Sequence, residues 1–286
     1  RLFIGVRLMK NTFVSLSRCT RFVCIDSWNY QNFIFYLVLQ STKSGNVINN
    51  APLLVWQIGG GEYNRDLMTA VMANRCVVSL PEAGVPCATL MFAIANPNYS
   101  YSASLDPERI KLVDRNNALQ MAFIDTLIKE GKVDGNKLFC AGASSGGGCT
   151  MRFMMQFPDR FKAAIPCCAM DPIVPIHMVK EKYDGQFTDD LVKAFQDKVY
   201  KWNGSDMVLE DMDTKAFCNL PMFFVHAESD RTCKVISSHA YFNARKRLGA
   251  QNDKIEIYDD AYMQKYGIPT MISHFSWVPL LNDYSE

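Results

Sequence analysis

The 286-residue sequence has no surplus of charge of either sign: 30 basic and 29 acidic side chains leave a net +1. A partner nucleic acid or anionic membrane surface would call for a basic face. The densest basic cluster, Arg245-Lys246-Arg247, amounts to one solvated helix turn, so no nucleic-acid partner is expected. Nor is there an uninterrupted run of about eighteen apolar residues, so no transmembrane helix is expected. Arg7, Lys10, Arg18 and Arg21 break up the first stretch, RLFIGVRLMKNTFVSLSRCTRFVCI, and no A-x-A site follows a hydrophobic region, so no signal peptide is expected there. The charge spacing of that stretch suits a strand pair lying on the body. Internal repeats and low-complexity blocks are also missing.

Cysteine is not scarce, at ten residues, but it lacks pattern. There is no C-x-x-C pair and no Cys/His cluster at ligand spacing, which argues against a zinc site. A chain of this size has no need of a disulfide scaffold. Cys140, Cys167 and Cys168 sit in apolar runs, where free thiols behave as small hydrophobes. Reduced thiols in a cytosolic protein and a few bridges in a secreted one both fit. The missing signal pattern favours the cytosol. Nothing in the sequence specifies an oligomeric state.

What is present is an alternation of strands and helices. Apolar runs at 33–39, 52–58, 88–94, 136–142, 161–169, 221–227 and 254–260 read as strands. Helical periodicity appears at 114–131, after Ser145, and at 234–249. This order predicts an α/β fold in a single domain over 1–286, with a mainly parallel sheet flanked by helices. The stretch 171–220 is longer than one crossover requires. It is expected to form a cap-like insertion over the carboxyl ends of the strands, or a long crossover with an extra surface helix. Tyr183, Phe187, Tyr200 and Trp202 of that insertion are candidates for its own small core or for an apolar acyl or aryl pocket.

Within FCAGASSGGGCT (139–150), Gly142-Ala143-Ser144-Ser145-Gly146 is a G-x-S-x-G pattern. It suits a sharp strand-to-helix turn that presents a serine hydroxyl. A plain glycine-rich loop or a phosphate cradle would also fit those five residues. Serine needs a base to take its proton, and the base needs a carboxylate to orient it. In this topology the chain order is serine, acid, histidine. Of the four histidines, His274, beyond the last predicted strand, has the right position. His226 reads as a strand-end residue satisfied by its neighbours and His239 as a mid-helix residue, while His177 belongs to the insertion. Asp230 is the candidate acid, with Glu228 two residues earlier; an N-cap for the next helix is the plain alternative for Asp230. Oxyanion donors are expected from the Ser145 amide and from the turn after PLLVWQI, at Gly60 and Gly61.

Taken together, PLLVWQIGGGE, DGNKLFCAGASSGGG followed by FPDRFKAAIP, PMFFVHAESD and SHFSWVPLLND resemble the α/β-hydrolase esterases. The resemblance is closest to the group of polyhydroxybutyrate depolymerases, feruloyl esterases and acetylxylan esterases, and covers residues 33–286. It implies Ser144 as nucleophile, His274 as base and Asp230 as orienting acid. Amides near Gly60 and at Ser145 would serve as oxyanion donors. It implies hydrolysis of a small ester through an acyl-enzyme, with no metal or organic cofactor. Two features depart from the group: Ile58 stands where its members usually carry histidine, and Arg231 follows the acid where a small or apolar residue is usual. Two other readings stay open. An oligopeptidase-type serine peptidase would usually bring a large extra domain, which these 286 residues do not contain. A non-catalytic hydrolase-like binding protein is kept open by Ile58.

Overall fold

A computed structural model of the chain describes residues 22–30, 33–40, 48–62, 85–93, 107–170, 214–247 and 249–282. Among the described residues, eight strands form one sheet in the order β1-β2-β4-β3-β5-β6-β7-β8. The strands are β1 (Phe22–Tyr30), β2 (Phe33–Gln40), β3 (Ala51–Gln57), β4 (Ala88–Ala93), β5 (Val133–Ala143), β6 (Ala163–Cys167), β7 (Phe223–Ala227) and β8 (Lys254–Tyr258). β2 is antiparallel to both β1 and β4; from β4 across to β8 every pairing is parallel. The first two described strands therefore pair antiparallel at the sheet edge, with Tyr30 opposite Phe33, and the strands from β4 to β8 form a parallel sheet.

The helices are α1 (Pro107–Lys129), α2 (Ser145–Gln156), α3 (Thr214–Asn219), α4 (Ile236–Arg247), α5 (Asp260–Lys265) and α6 (Trp277–Asn282). α1 starts before its apolar periodicity begins, because Pro107 suits a first helical position, where no amide hydrogen is needed. Gly131, at φ +68°, closes the turn after it.

β3 and β4 are apolar almost throughout because both of their faces are covered, whereas β8 at the far edge leaves Lys254 and Glu256 exposed. On β3, Leu53 and Val55 point into one core with Phe123, Ile124 and Leu127 of α1 and Met151, Phe153 and Met154 of α2. Leu54 and Trp56 point into the opposite core with Met91, Val225, Met263 and Trp277. Burying each such side chain fully contributes about 1.5–3 kcal/mol, so these layers fix the sheet on which the loops stand.

Most of the stretch 171–220 read as a cap, with His177 and its aromatics, lies outside the described residues. Its last part is α3, which sends Phe217 into the first core together with Leu220. Within the basic cluster at 245–247, Lys246 is exposed as expected, but Arg245 is not solvated. Arg245 is buried, forks onto Asp253 at 2.7 and 3.0 Å, and donates to the carbonyls of Phe217 and Leu220. It thus ties α4 to the loops before β7 and β8, and its planar fork suits that role where lysine would not.

Candidate active site

β3 exits toward β4 on one side, and β5 exits through α2 toward β6 on the other. A crevice opens between the carboxyl ends of two adjacent strands that diverge in this way, and open α/β sheets bind ligands there. Gly59 follows β3, and Ser144 follows β5.

Ser144 has φ 59° and ψ −124°, a backbone conformation that a side chain makes costly. The turn is held from both sides. Ser144 N donates to Cys167 O at 3.1 Å, while Ser144 O accepts from Met170 N at 2.9 Å and Gly148 N at 3.2 Å. The glycines around it are packing requirements. A Cβ at Gly142 would lie 2.5 Å from Gly146 O, and one at Gly147 would lie 2.7 Å from Cys167 O. The G-x-S-x-G pattern is thus a strand-to-helix junction packed backbone against backbone, not a loose loop.

Ser145 begins α2, and its amide takes no protein acceptor among the described residues. After β3, Gly60 and Gly61 form an exposed single turn, and a Cβ at Gly61 would meet nothing within 4 Å. Gly59 approaches the serine: a Cβ there would lie 3.7 Å from Ser144 Cβ. Its amide donates to Glu62 Oε2 at 2.9 Å, a contact sequence reasoning did not foresee. Ile58 is buried in the second core beside Trp56 and Cys168. In place of an imidazole, this turn therefore has an apolar anchor.

Asp230 lies in the turn beyond β7 and is buried, whereas Glu228 is exposed. The two oxygens of Asp230 divide its work. Oδ1 accepts from Thr232 N at 2.8 Å and Cys233 N at 3.0 Å, closing a local turn ahead of α4. Oδ2 accepts from His274 Nδ1 at 2.7 Å. Of the two alternatives in the sequence, the histidine partner is present, whereas α4 starts only at Ile236, too far along for Asp230 to be its N-cap. Burial opposes the charge on Asp230, but hydrogen bonds from His226 and His274 outweigh it and hold the carboxyl well below the usual carboxylate range.

His274 is half-buried, its ring edge-on to Trp277 at 5.7 Å, in the loop between a single turn at Thr270–Ile272 and α6. The structure thus joins His274 to Asp230. It gives Ser144 no hydrogen bond to His274; the polar neighbour of the hydroxyl is Cys233 Sγ, at 3.9 Å. Burial pushes the Cys233 thiol up to about 12, with the Asp230 charge adding to that and the Ser144 contact opposing it.

His239, in α4, is a half-buried helical residue whose burial and proximity to His226 lower its pKa. Cys168, Asp230 and His274 bring one ligand atom each within 4.8 Å of one another. No sequence spacing announces this trio, because it joins three separate loops. Burial raises the Cys168 thiol well above its ordinary value, and Asp230 already binds His274, so the trio is poorly prepared for a metal. Cys87, Cys140, Cys149, Cys167, Cys168, Cys218 and Cys233 are free and buried.

The sheet order, the antiparallel second strand and the strained serine on its strand-to-helix turn define an α/β-hydrolase. Residues 114–262, slightly more than half of the chain, match the model of the prolyl oligopeptidase family, and the chain belongs to that family of serine hydrolases. The match takes in Ser144 and Asp230 and stops short of His274. No curated protein matches the chain in sequence. Among solved structures, a thermostable esterase is similar, with a TM-score of 0.62 at 21% identity over 92% of this chain. The chain spans 60% of that esterase's length. Carboxyl esterase 2 from the mycorrhizal fungus Tuber melanosporum gives a TM-score of 0.54 at 16% identity, covering 85% of this chain and 78% of that one. The acylaminoacyl peptidase of Pyrococcus horikoshii gives 0.53 at 14% identity, covering 96% of this chain and 42% of that one. At these identities the likeness is one of fold. Among the described residues, no helix is long and apolar enough to cross a membrane.

Proposed function

We propose that the protein is a serine carboxylic-ester hydrolase that works through an acyl-enzyme, with Ser144 as nucleophile, His274 as base and Asp230 as orienting acid. The observation that carries this reading is the 2.7 Å bond from His274 Nδ1 to the buried Asp230 carboxylate at the strand ends that also bear the strained Ser144. With Nδ1–H committed to Asp230, Nε2 of the neutral ring is the nitrogen left to take a proton.

In this mechanism Ser144 attacks an ester carbonyl as its hydroxyl proton passes to His274 Nε2. The tetrahedral oxyanion takes hydrogen bonds from the Ser145 amide and from the glycine turn after β3, at Gly60 and Gly61. One such donor contributes about 3–4 kcal/mol to the transition state. The alcohol leaves with the proton from His274, and water repeats the sequence on the acyl-enzyme. The Asp230 charge stabilises the imidazolium formed in each half. Met271, Ile272 and Phe275, on the loop that carries His274, are exposed apolar side chains, suited to the apolar portion of a small ester.

A second reading, an oligopeptidase-like serine peptidase, draws support from the family match. Turnover of short-chain aryl esters and of an aminoacyl-arylamide, measured on wild type and Ser144→Ala, separates the readings. Ester turnover lost in Ser144→Ala is the expected result. Preferential amide turnover would favour the peptidase. Turnover of neither substrate would favour a hydrolase-like binding protein.

A further inference from the structure

Asp230 has a second imidazole partner that the reaction scheme does not use. His226, at the end of β7, is completely buried. Its Nε2 lies 3.2 Å from Asp230 Oδ2, the same oxygen that receives His274, and 2.9 Å from Cys233 O. Both neighbours are acceptors, so Nε2 carries the hydrogen. Nδ1 lies 2.8 Å from Ser238 Oγ, a hydroxyl able to donate to it. One chain of donors results: Ser238 to His226, His226 to Asp230, and His274 to Asp230 from the other side.

We propose that His226 is a positioning residue, a buried donor that fixes the Asp230 carboxylate and thereby the orientation of His274. The inference rests on the reading of Asp230 and His274 as acid and base. Asp230 Oδ1 is pinned by two backbone amides, but these alone leave the carboxylate plane free to tip. A second donor on Oδ2 defines the direction in which His274 is met. Polar groups around a reacting imidazole commonly set its orientation in this way. The titratable groups facing this cluster are His274, Cys168, Cys233 and, from α4, His239. Of these His274 and His226 donate to the carboxylate, and the His226 bond is among the forces that keep Asp230 ionised.

The test compares wild type with His226→Leu, which removes the donor, and His226→Gln, which can return an N–H near the place of Nε2. Two quantities are read: the pH titration of the Asp230 carboxyl carbon by NMR, assigned with Asp230→Asn, and kcat and KM for an aryl ester. In His226→Leu the carboxyl should titrate at higher pH than in wild type. Its kcat should fall by about 10–100-fold, the range typical of such supporting partners, with KM little changed. His226→Gln should stay close to wild type in both. An unchanged carboxyl titration in folded His226→Leu overturns the proposal, as does an equal loss of kcat in both variants. If His226→Leu does not fold, Ser238→Ala takes its place. It should move the titration the same way by less, and no movement counts against the proposal. Should wild type hydrolyse no ester, the reading of the function fails, while the carboxyl titration still decides the role of His226.

Discussion

Gly146 at the start of α2 and Gln57 at the end of β3 meet so closely that a Cβ on Gly146 would lie 2.1 Å from Gln57 O. That separation is far inside van der Waals contact, and the obstacle is backbone, which cannot rotate away. The serine turn and the glycine turn are therefore one packed unit. Gly146→Ala should destabilise the fold by about 1–3 kcal/mol or more, the usual range for overpacking. Activity should fall further than stability does, because the two turns must part. Urea unfolding midpoints and kcat/KM on the same preparations check this.

Ser144 itself offers a contrast between two substitutions. Glycine tolerates φ 59° and ψ −124°, whereas alanine keeps the steric cost that serine bears. Ser144→Gly should therefore be more stable than Ser144→Ala by about 1 kcal/mol, after the extra chain entropy of glycine is set against the relieved strain. Thermal midpoints of the two variants decide, and equal midpoints would mean that the turn is not strained.

The depressed pKa of Asp230 links stability to acidity. A carboxyl held below its unfolded value contributes stability that is complete above about pH 4 and is lost as the pH falls from there toward the folded value. The wild type should thus lose its advantage over Asp230→Asn in that acid window and keep it at neutral pH. Denaturant unfolding of both proteins between about pH 6 and pH 2 measures the difference.

Cys233 stands beside the serine hydroxyl, yet its thiol should be inert. Pushed up to about 12 by burial, it stays protonated in neutral and mildly alkaline solution. Iodoacetamide at about pH 8 should leave turnover intact, and peptide mass mapping should find Cys233 unmodified. Rapid inactivation with modification at this residue would contradict the environment described.

Much of the fold is readable in the sequence for one physical reason. Strands β3 to β7 are buried on both faces or nearly so, and their runs, such as PLLVWQI and PMFFVHA, stand out against polar turns. The edge strand β1, FVCIDSWNY, carries no such run, and sequence alone suggests only a strand pair near there. Chain order led to Ser144, Asp230 and His274 because each follows a recognisable strand. The contacts made by folding back were not legible. Glu62 closing on the Gly59 amide, Arg245 turning inward and the meeting of Cys168 with Asp230 and His274 depend on how loops converge. His226 carried a usable signal, an imidazole four residues before the acid across a tight turn after a strand. In sequence that spacing does not differ from a strand-end residue with no further duty.

The hairpin of β1 and β2 also guards an edge. β2 covers one flank of β4 through five paired positions, from Ile34 opposite Ala93 to Val38 opposite Thr89. A chain trimmed past Gln40 would present β4, with Leu90, Met91 and Phe92, as a bare ladder of amides and carbonyls. Such a ladder recruits strands from other molecules. Shortened forms should self-associate even where every residue of the crevice is intact, so loss of soluble protein on trimming would report an uncovered flank rather than damaged chemistry.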